Sequence, residues 1–120
     1  MGSYKDLVVF KKAYGLAMDI FKVSKSFPKE EKYSLIDQIR RSSRSVCANF
    51  GEAYRRRKYP AHFLSKLADC DAENTETEIW IQFCFDCRYI DEIKLQDLLA
   101  KCAEVGRMLG HMISYPEKYS

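Results

Sequence analysis

The chain has 120 residues, of which 47% are hydrophobic and 31% are charged, and its formal net charge is +3. This length and balance predict a single domain over residues 1–120 and exclude both a disordered chain and two separate domains. No apolar run approaches the roughly 20 residues that a membrane-spanning helix needs, and the N-terminus lacks the layout of a signal peptide. We therefore expect a cytoplasmic protein with no membrane partner.

The five cysteines agree with this expectation, because an odd number cannot all pair within one chain. Cys84 and Cys87 form a C-x-x-C, but no second pair stands at metal-binding distance in the sequence, and His62 and His111 lie elsewhere. We expect no metal and no cofactor, and thiols that serve mostly as small core residues.

Two helices are predicted in the first half of the chain. Apolar residues recur at three- and four-residue steps over Leu7–Phe27, with Asp6 as N-cap, and Pro28 ends this helix because a residue before proline is disfavoured in the α conformation. The second helix is predicted to start within Lys29–Tyr33. Its apolar stripe runs over Leu35–Tyr54 and predicts the face that meets the core.

Two more helices are predicted in the second half. The third runs from about Pro60 to Arg88, with Pro60 in its first turn, and the fourth runs from about Glu92 to Ser114, with Asp91 as its N-cap. Helical glycines predict close approach of a neighbouring helix, at Gly15, Gly106 and Gly110. Four amphipathic helices with short connections predict an all-α, antiparallel up-down-up-down four-helix bundle.

Helix three also carries polar residues on its apolar stripe, at Asp71, Asn74 and Glu78. Polar groups on a core face must be paired or hydrated. The favoured interpretation is structural: they bond to hydroxyls such as those of Ser42 and Ser43, or to an arginine of another helix. The alternative is that they line a polar pore or site.

Charge is unevenly distributed along the chain. The segment 38–66 holds eight basic residues and one acidic residue, whereas the segment 69–97 holds nine acidic residues and two basic residues. On helix two, four basic residues are predicted opposite the apolar stripe, and we name them the basic ribbon: Arg40, Arg44, Arg55 and Lys58. A row of this kind indicates electrostatic binding of nucleic acid, which is salt-dependent and largely independent of sequence.

Other residues near the basic ribbon have separate predicted roles. Tyr54 and Tyr59 flank the basic run and are candidates for stacking on unpaired bases. Arg41 and Arg56 point away from the middle of the ribbon and are predicted to be structural pair partners. No phosphate-binding glycine loop and no nucleophile with a helper histidine occurs, so we expect a protein that is not an enzyme.

The segment Gln38–Ala53, which reads Gln-Ile-Arg-Arg-Ser-Ser-x-Ser-Val-x-Ala-Asn-Phe-Gly-Glu-Ala, and the Arg-Arg-Arg-Lys-Tyr-Pro at 55–60 resemble the 23S rRNA intervening-sequence protein family. Further matches to the family pattern lie at Asp6–Ala13, Phe27–Leu35, Glu76–Ile81, Asp86–Ile90 and Glu104–Leu109. Small departures occur at Gly51 and Ala53, and Asn74 stands where a Glu is frequent, which weakens any role for a helix-three carboxylate.

The resemblance implies an antiparallel four-helix bundle that assembles as a ring-shaped homopentamer. It also implies a relation to the accessory proteins of diversity-generating retroelements, similar pentamers that bind a reverse transcriptase and nucleic acid. The leading hypothesis is thus a non-enzymatic pentamer that binds RNA or DNA. The alternatives are a scaffold that docks a partner such as a reverse transcriptase, and a basic ribbon that only joins subunits of the ring.

Overall fold

The computed structural model describes residues 2–120, so the first residue of the predicted domain lies outside the described part. Four α-helices follow one another, numbered in chain order: α1 Val8–Ser24, α2 Leu35–Arg55, α3 Pro60–Asp86 and α4 Glu92–Ser114. Short 3-10 turns precede α1, connect α1 to α2 and follow α4, at Tyr4–Asp6, Lys29–Glu31 and Pro116–Lys118. No strand occurs in residues 2–120.

Each helix packs against its neighbours in the chain, and α1 also packs against α4, which closes the bundle. Between 2 and 120, the diagonal pairs α1–α3 and α2–α4 have no Cα atoms within 8 Å of each other. The molecule measures 44 × 25 × 21 Å along its principal axes. The prediction of an all-α four-helix bundle is confirmed.

The apolar core consists of two clusters, one toward each end of the bundle. One cluster surrounds Phe50 and Phe63 and joins the start of α1 to the end of α4. The other surrounds Ile20, Ile39 and Ile81. Residues from all four helices enter both clusters, so each cluster stabilises the whole antiparallel arrangement by burying apolar surface.

Buried polar side chains lie between these clusters and are hydrogen-bonded. The Ser42 and Thr77 hydroxyl oxygens are 2.8 Å apart across the α2–α3 interface. The Asn74 side-chain amide donates to the Cys102 carbonyl at 3.0 Å across the α3–α4 interface, and the Cys102 thiol donates in turn to oxygens of Asn74. These groups therefore satisfy one another and do not line a pore.

The polar residues predicted on the core stripe of α3 differ in burial. Asn74 is buried as predicted, but its partner is Cys102 and not a serine of α2. Asp71 is half-buried and Glu78 is exposed, so their placement on the core stripe was wrong. The reason is rotational: the stripe that meets the core passes through Asn74 and Thr77, which leaves Glu78 on the outer side.

Some helix ends also differ from the predictions. Asp6 does not cap α1; its carboxylate accepts the Ser3 backbone N–H at 3.0 Å within the preceding 3-10 turn. The first helix ends at Ser24, because the next residues form i to i−3 hydrogen bonds of a tightened turn. Pro60 in the first turn of α3 and Asp91 as the N-cap of α4 are confirmed.

The segment 29–33 does not begin the second helix. Ser34 has non-helical dihedral angles, and α2 starts only at Leu35. The Glu31 carboxylate accepts hydrogen bonds from the Ser34 hydroxyl and the Leu35 backbone N–H, and it also accepts one from the Tyr89 hydroxyl at 2.7 Å. These bonds, led by that from Ser34, lower the pKa of Glu31 and place a negative charge at the N-terminus of α2, where the helix dipole favours it.

Leu64 and Leu67 both lie on α3 but differ in burial. Leu67 is fully buried, whereas 36% of Leu64 is exposed. We expect Leu67→Ala to lower the free energy of unfolding by about 2 to 5 kcal/mol, because it leaves a cavity in the core. Leu64→Ala, the matched control, should cost less than about 1 kcal/mol. Urea unfolding followed by circular dichroism measures both, and equal losses would contradict this description of the core.

The glycines of α4 have different surroundings, although both were predicted to mark close approaches. A Cβ on Gly106 would lie 3.3 Å from the Asn74 amide nitrogen, whereas one on Gly110 would meet no atom within 4 Å. A Cβ on Gly15 of α1 would also meet no atom within 4 Å. The close approaches predicted at Gly15 and Gly110 are therefore absent from residues 2–120.

This difference gives a second stability prediction. Gly110→Ala should raise the free energy of unfolding by about 0.5 to 1 kcal/mol, because alanine loses less conformational entropy in a helix. Gly106→Ala should give no such gain, because its methyl group pushes the Asn74 amide away from the Cys102 carbonyl. Thermal unfolding of the two variants side by side checks this, and an equal gain at both positions would refute it.

Candidate nucleic-acid interface

The basic ribbon follows the edge of α2 that borders α1. Arg40, Arg44 and Arg55 recur on one side of the helix, and Lys58 follows in the turn beyond its end. Fifteen residues separate Arg40 from Arg55, so at 1.5 Å per residue the helical part of the ribbon is about 22 Å long. Arg44, Arg55 and Lys58 are exposed, and Arg40 is half-buried.

None of the four ribbon cations forms an ion pair with a carboxylate among residues 2–120. Arg40 instead donates from Nε to the Ser24 hydroxyl oxygen at 2.8 Å, and its guanidinium lies over the Phe21 ring of α1. Arg44 also lies over that ring. The four ribbon cations thus have no ion-paired carboxylate in the part of the chain that the structure describes.

Arg41 follows Arg40 in sequence and is therefore rotated from it by about 100° around α2, toward α3. Its guanidinium contacts the carboxylates of Glu76 at 2.8 Å and Glu73 at 3.7 Å on α3. It occupies the structural position that the sequence predicts for it. Burial raises the pKa of Glu73, one of whose oxygens is buried without a hydrogen-bond partner.

Arg56 does not fit the structural role predicted for it. It is exposed at the C-cap of α2 and makes no ion pair with the described residues. Glu52, one turn earlier, forms its ion pair with Lys66 of α3 at 2.7 Å. The hydrogen bond from Lys66 is the main cause of the lowered pKa of Glu52, and the charge of Arg56 is a minor one.

The two tyrosines that flank the basic run have different surroundings. Tyr54 is half-buried, its ring stacks beside Phe50, and the Arg57 guanidinium lies 4.0 Å from its centroid. Its role as a surface for stacking bases is therefore not supported, because its ring belongs to the packed end of the bundle. Tyr59 is 61% exposed, and its ring packs in an edge-to-face arrangement with the ring of His62.

A groove of about 620 Å³ lies between α1 and α2 beside the ribbon. Its floor is apolar and includes Phe10, Tyr14 and Met18, while Arg44 and Arg55 stand at its α2 border. More than half of Tyr14 and over a third of Met18 are exposed. The sequence interpretation missed this groove, since the periodicity of α1 places Tyr14 on its core stripe.

The C-x-x-C motif has one buried and one exposed thiol. Cys84 is buried in the core, Cys87 is exposed beyond the end of α3, and all five cysteines are unpaired. Burial raises the pKa of the Cys84 thiol to about 12. In the described part of the chain, no three His, Cys, Asp or Glu side chains are grouped as metal ligands would be.

Between 2 and 120, no helix is long and apolar enough to cross a membrane.

The fold and this surface define an antiparallel four-helix bundle with a row of uncompensated cations along one helix. A family model described as 23S rRNA-intervening sequence protein matches residues 5–111. The match covers most of the chain, and the chain belongs to this family.

A solved structure supports the same assignment. It is a protein of unknown function from the S23 ribosomal protein family of Bacteroides thetaiotaomicron, and it is 29% identical to this chain. The alignment covers 89% of this chain and 96% of the other, with a TM-score of 0.81. No protein with a curated description matches the sequence.

The thiol environments predict a fixed order of alkylation in the native protein. Iodoacetamide at neutral pH should modify Cys87 first and half-buried Cys47 more slowly, because burial raises the Cys47 pKa to about 11. Buried Cys70, Cys84 and Cys102 should react only after unfolding, since burial raises the pKa of each to about 12. Peptide mass spectrometry measures the order, and equal rates at Cys84 and Cys87 would contradict it.

Proposed function

We propose that this chain forms a non-enzymatic, cytoplasmic homopentamer that binds nucleic acid through the basic ribbon. The observation that carries the proposal is the lack of ion pairs at the ribbon in residues 2–120, while neighbouring Arg41 and Lys66 are both paired with carboxylates. Positive charge that a protein leaves unpaired along one edge is available to phosphate groups, whose counterions are released on binding.

The size of the ribbon suits a nucleic-acid backbone. Duplex DNA carries one negative charge per roughly 1.7 Å of axis, so a ribbon of about 22 Å faces several phosphates at once. Exposed Tyr59 lies next to Lys58 at the far end of the ribbon and is placed to stack on an unpaired base. The family's description refers to 23S rRNA, which supports structured RNA as the first probe.

Two apolar surfaces on different sides of the bundle support the ring assembly. One is the α1–α2 groove, and the other lies along α3, where Ile79 and Phe83 are each about half exposed and Ile79 borders a depression between α3 and α4. A contact between two unlike surfaces is heterologous, and it generates a closed ring when the rotation between successive subunits is a whole fraction of a turn. A subunit that inserts Ile79 and Phe83 into the groove of the next one would bury both patches.

A charge-reversal variant tests the binding function. Replacing Arg40, Arg44 and Arg55 together by Glu should abolish binding of structured RNA at about 0.1 M salt. For duplex DNA, each lost phosphate contact should reduce the slope of log affinity against log salt by about 0.9. Fluorescence anisotropy across a salt series measures both quantities. Unchanged affinity, or no affinity of the native protein even at low salt, would refute the proposal.

A matched variant controls for net charge alone. Arg88, Arg107 and Lys118 are exposed, lie outside α2 and make no ion pair in residues 2–120. Their replacement by Glu changes the net charge equally and should leave most of the binding intact. Light scattering of both variants shows whether the pentamer persists. If only the ribbon variant dissociates into monomers, the ribbon joins subunits and does not bind a ligand.

The second candidate function is a scaffold that docks a protein partner such as a reverse transcriptase. The apolar α1–α2 groove with arginines at its border favours this candidate, because such a surface suits an amphipathic partner segment with acidic residues. This function predicts a partner that co-purifies in a fixed ratio, and a purified pentamer that does not bind nucleic acid at any salt concentration.

A further inference from the structure

Three cations, two on α2 and one at the residue that follows α1, lie around one aromatic ring. The Phe21 centroid of α1 lies 4.7 Å from the Lys25 ammonium nitrogen and 4.8 Å from the Arg40 guanidinium carbon. The Arg44 guanidinium carbon lies 5.7 Å from the same centroid. Each contact is in the range of a cation–π interaction. The sequence did not predict this cluster, because Lys25 lies outside the helix that carries the two arginines.

No carboxylate of residues 2–120 neutralises this cluster by an ion pair. Asp37 borders the same depression as Arg40 and Arg44 but makes no ion pair with either. Each of the three charges lies within the Debye length, about 8 to 10 Å in physiological salt, of the Phe21 ring centroid. Their mutual repulsion is therefore only partly screened, and a bound anion would relieve it.

The cluster is also rich in free hydrogen-bond donors. Arg40 uses Nε to bond the Ser24 hydroxyl, and Ser24 is 1% exposed and donates to the Phe21 carbonyl at 3.0 Å. This chain of bonds fixes the guanidinium of Arg40 relative to the ring. The terminal nitrogens of Arg40, the guanidinium of Arg44 and the ammonium of Lys25 make no hydrogen bond to any group of residues 2–120.

We propose that Lys25, Arg40 and Arg44 form a phosphate clamp, with Phe21 as its platform and Ser24 as the residue that positions Arg40. A phosphate oxygen pair accepts the parallel N–H groups of a guanidinium, and an ammonium supplies a further charge from the end of α1. The clamp holds a backbone phosphate of bound nucleic acid. It rests on the proposed function and assigns Lys25, the residue that follows α1, to the same surface as the ribbon.

A pair of lysine variants at the end of α1 tests the clamp. Lys25→Gln should weaken binding of structured RNA by about 5- to 10-fold at 0.1 M salt and reduce the salt slope by about 0.7 to 0.9, as expected for one lost phosphate contact. Lys22→Gln removes the same charge from an exposed position one turn earlier and should change affinity by less than about twofold, because it affects only long-range attraction. Circular dichroism confirms that both variants fold.

A second readout separates the clamp from the wider binding function. In protein labelled with ¹⁵N arginine, inorganic phosphate added against chloride at constant ionic strength should shift the Arg40 Nε–H signal. The shift should be weaker in Lys25→Gln than in Lys22→Gln. Equal effects of the two lysine variants, with the ribbon variant still unable to bind RNA, would overturn the clamp and leave the proposed function intact. A phosphate-dependent shift in a protein that binds no nucleic acid would refute the proposed function and, with it, the assignment of the clamp to a backbone phosphate, and would leave only a site for free phosphate.

Discussion

The contact between α2 and α3 is the constraint on which the rest of the molecule depends. It is the most extensive helix pairing, and it is lined by small buried side chains, among them Ser42, Ser43, Ala53, Cys70 and Thr77. Small residues allow two helices to approach closely, as the Cys70 thiol shows by donating to the Val46 carbonyl at 3.6 Å. Their hydroxyls remain satisfied by each other and by the backbone. α1 packs onto α2, α4 packs onto α3, and α1 and α4 contact each other to close the bundle.

The α2–α3 contact also determines which arginines of α2 form ion pairs. The side that meets α3 carries Arg41 toward Glu73 and Glu76, and a rotation of about 100° per residue turns Arg40 toward α1. An exposed ion pair contributes at most about 1 kcal/mol, so leaving the basic ribbon unpaired costs little stability. The uncompensated charge maintains a positive potential along one edge, which is what a phosphate ligand requires.

Local sequence patterns predicted the positions of the helices more accurately than the contacts that their residues make. The periodicity of α2 correctly placed Ile39, Val46 and Phe50 in the core. The helix starts predicted from Pro60 and Asp91 were also right, because caps and first turns depend on neighbouring residues. The start of α2 was wrong because Glu31 caps the helix from the preceding turn, with a bond from Tyr89 that lies far away in the sequence. Glu78 was wrongly placed on the core stripe because a small error in the angle assumed per residue accumulates along a helix as long as α3.

The sequence alone determined that this protein has four amphipathic helices, a segregated charge distribution and membership in a family of four-helix bundles. These properties follow from residue order and spacing, which periodicity and motifs record directly. Only the tertiary structure determined which cations form ion pairs. It also placed Phe50 and Arg57 against the Tyr54 ring and brought three cations to the Phe21 ring. Those outcomes depend on distances between side chains of different helices, about which the spacing within one helix contains no information.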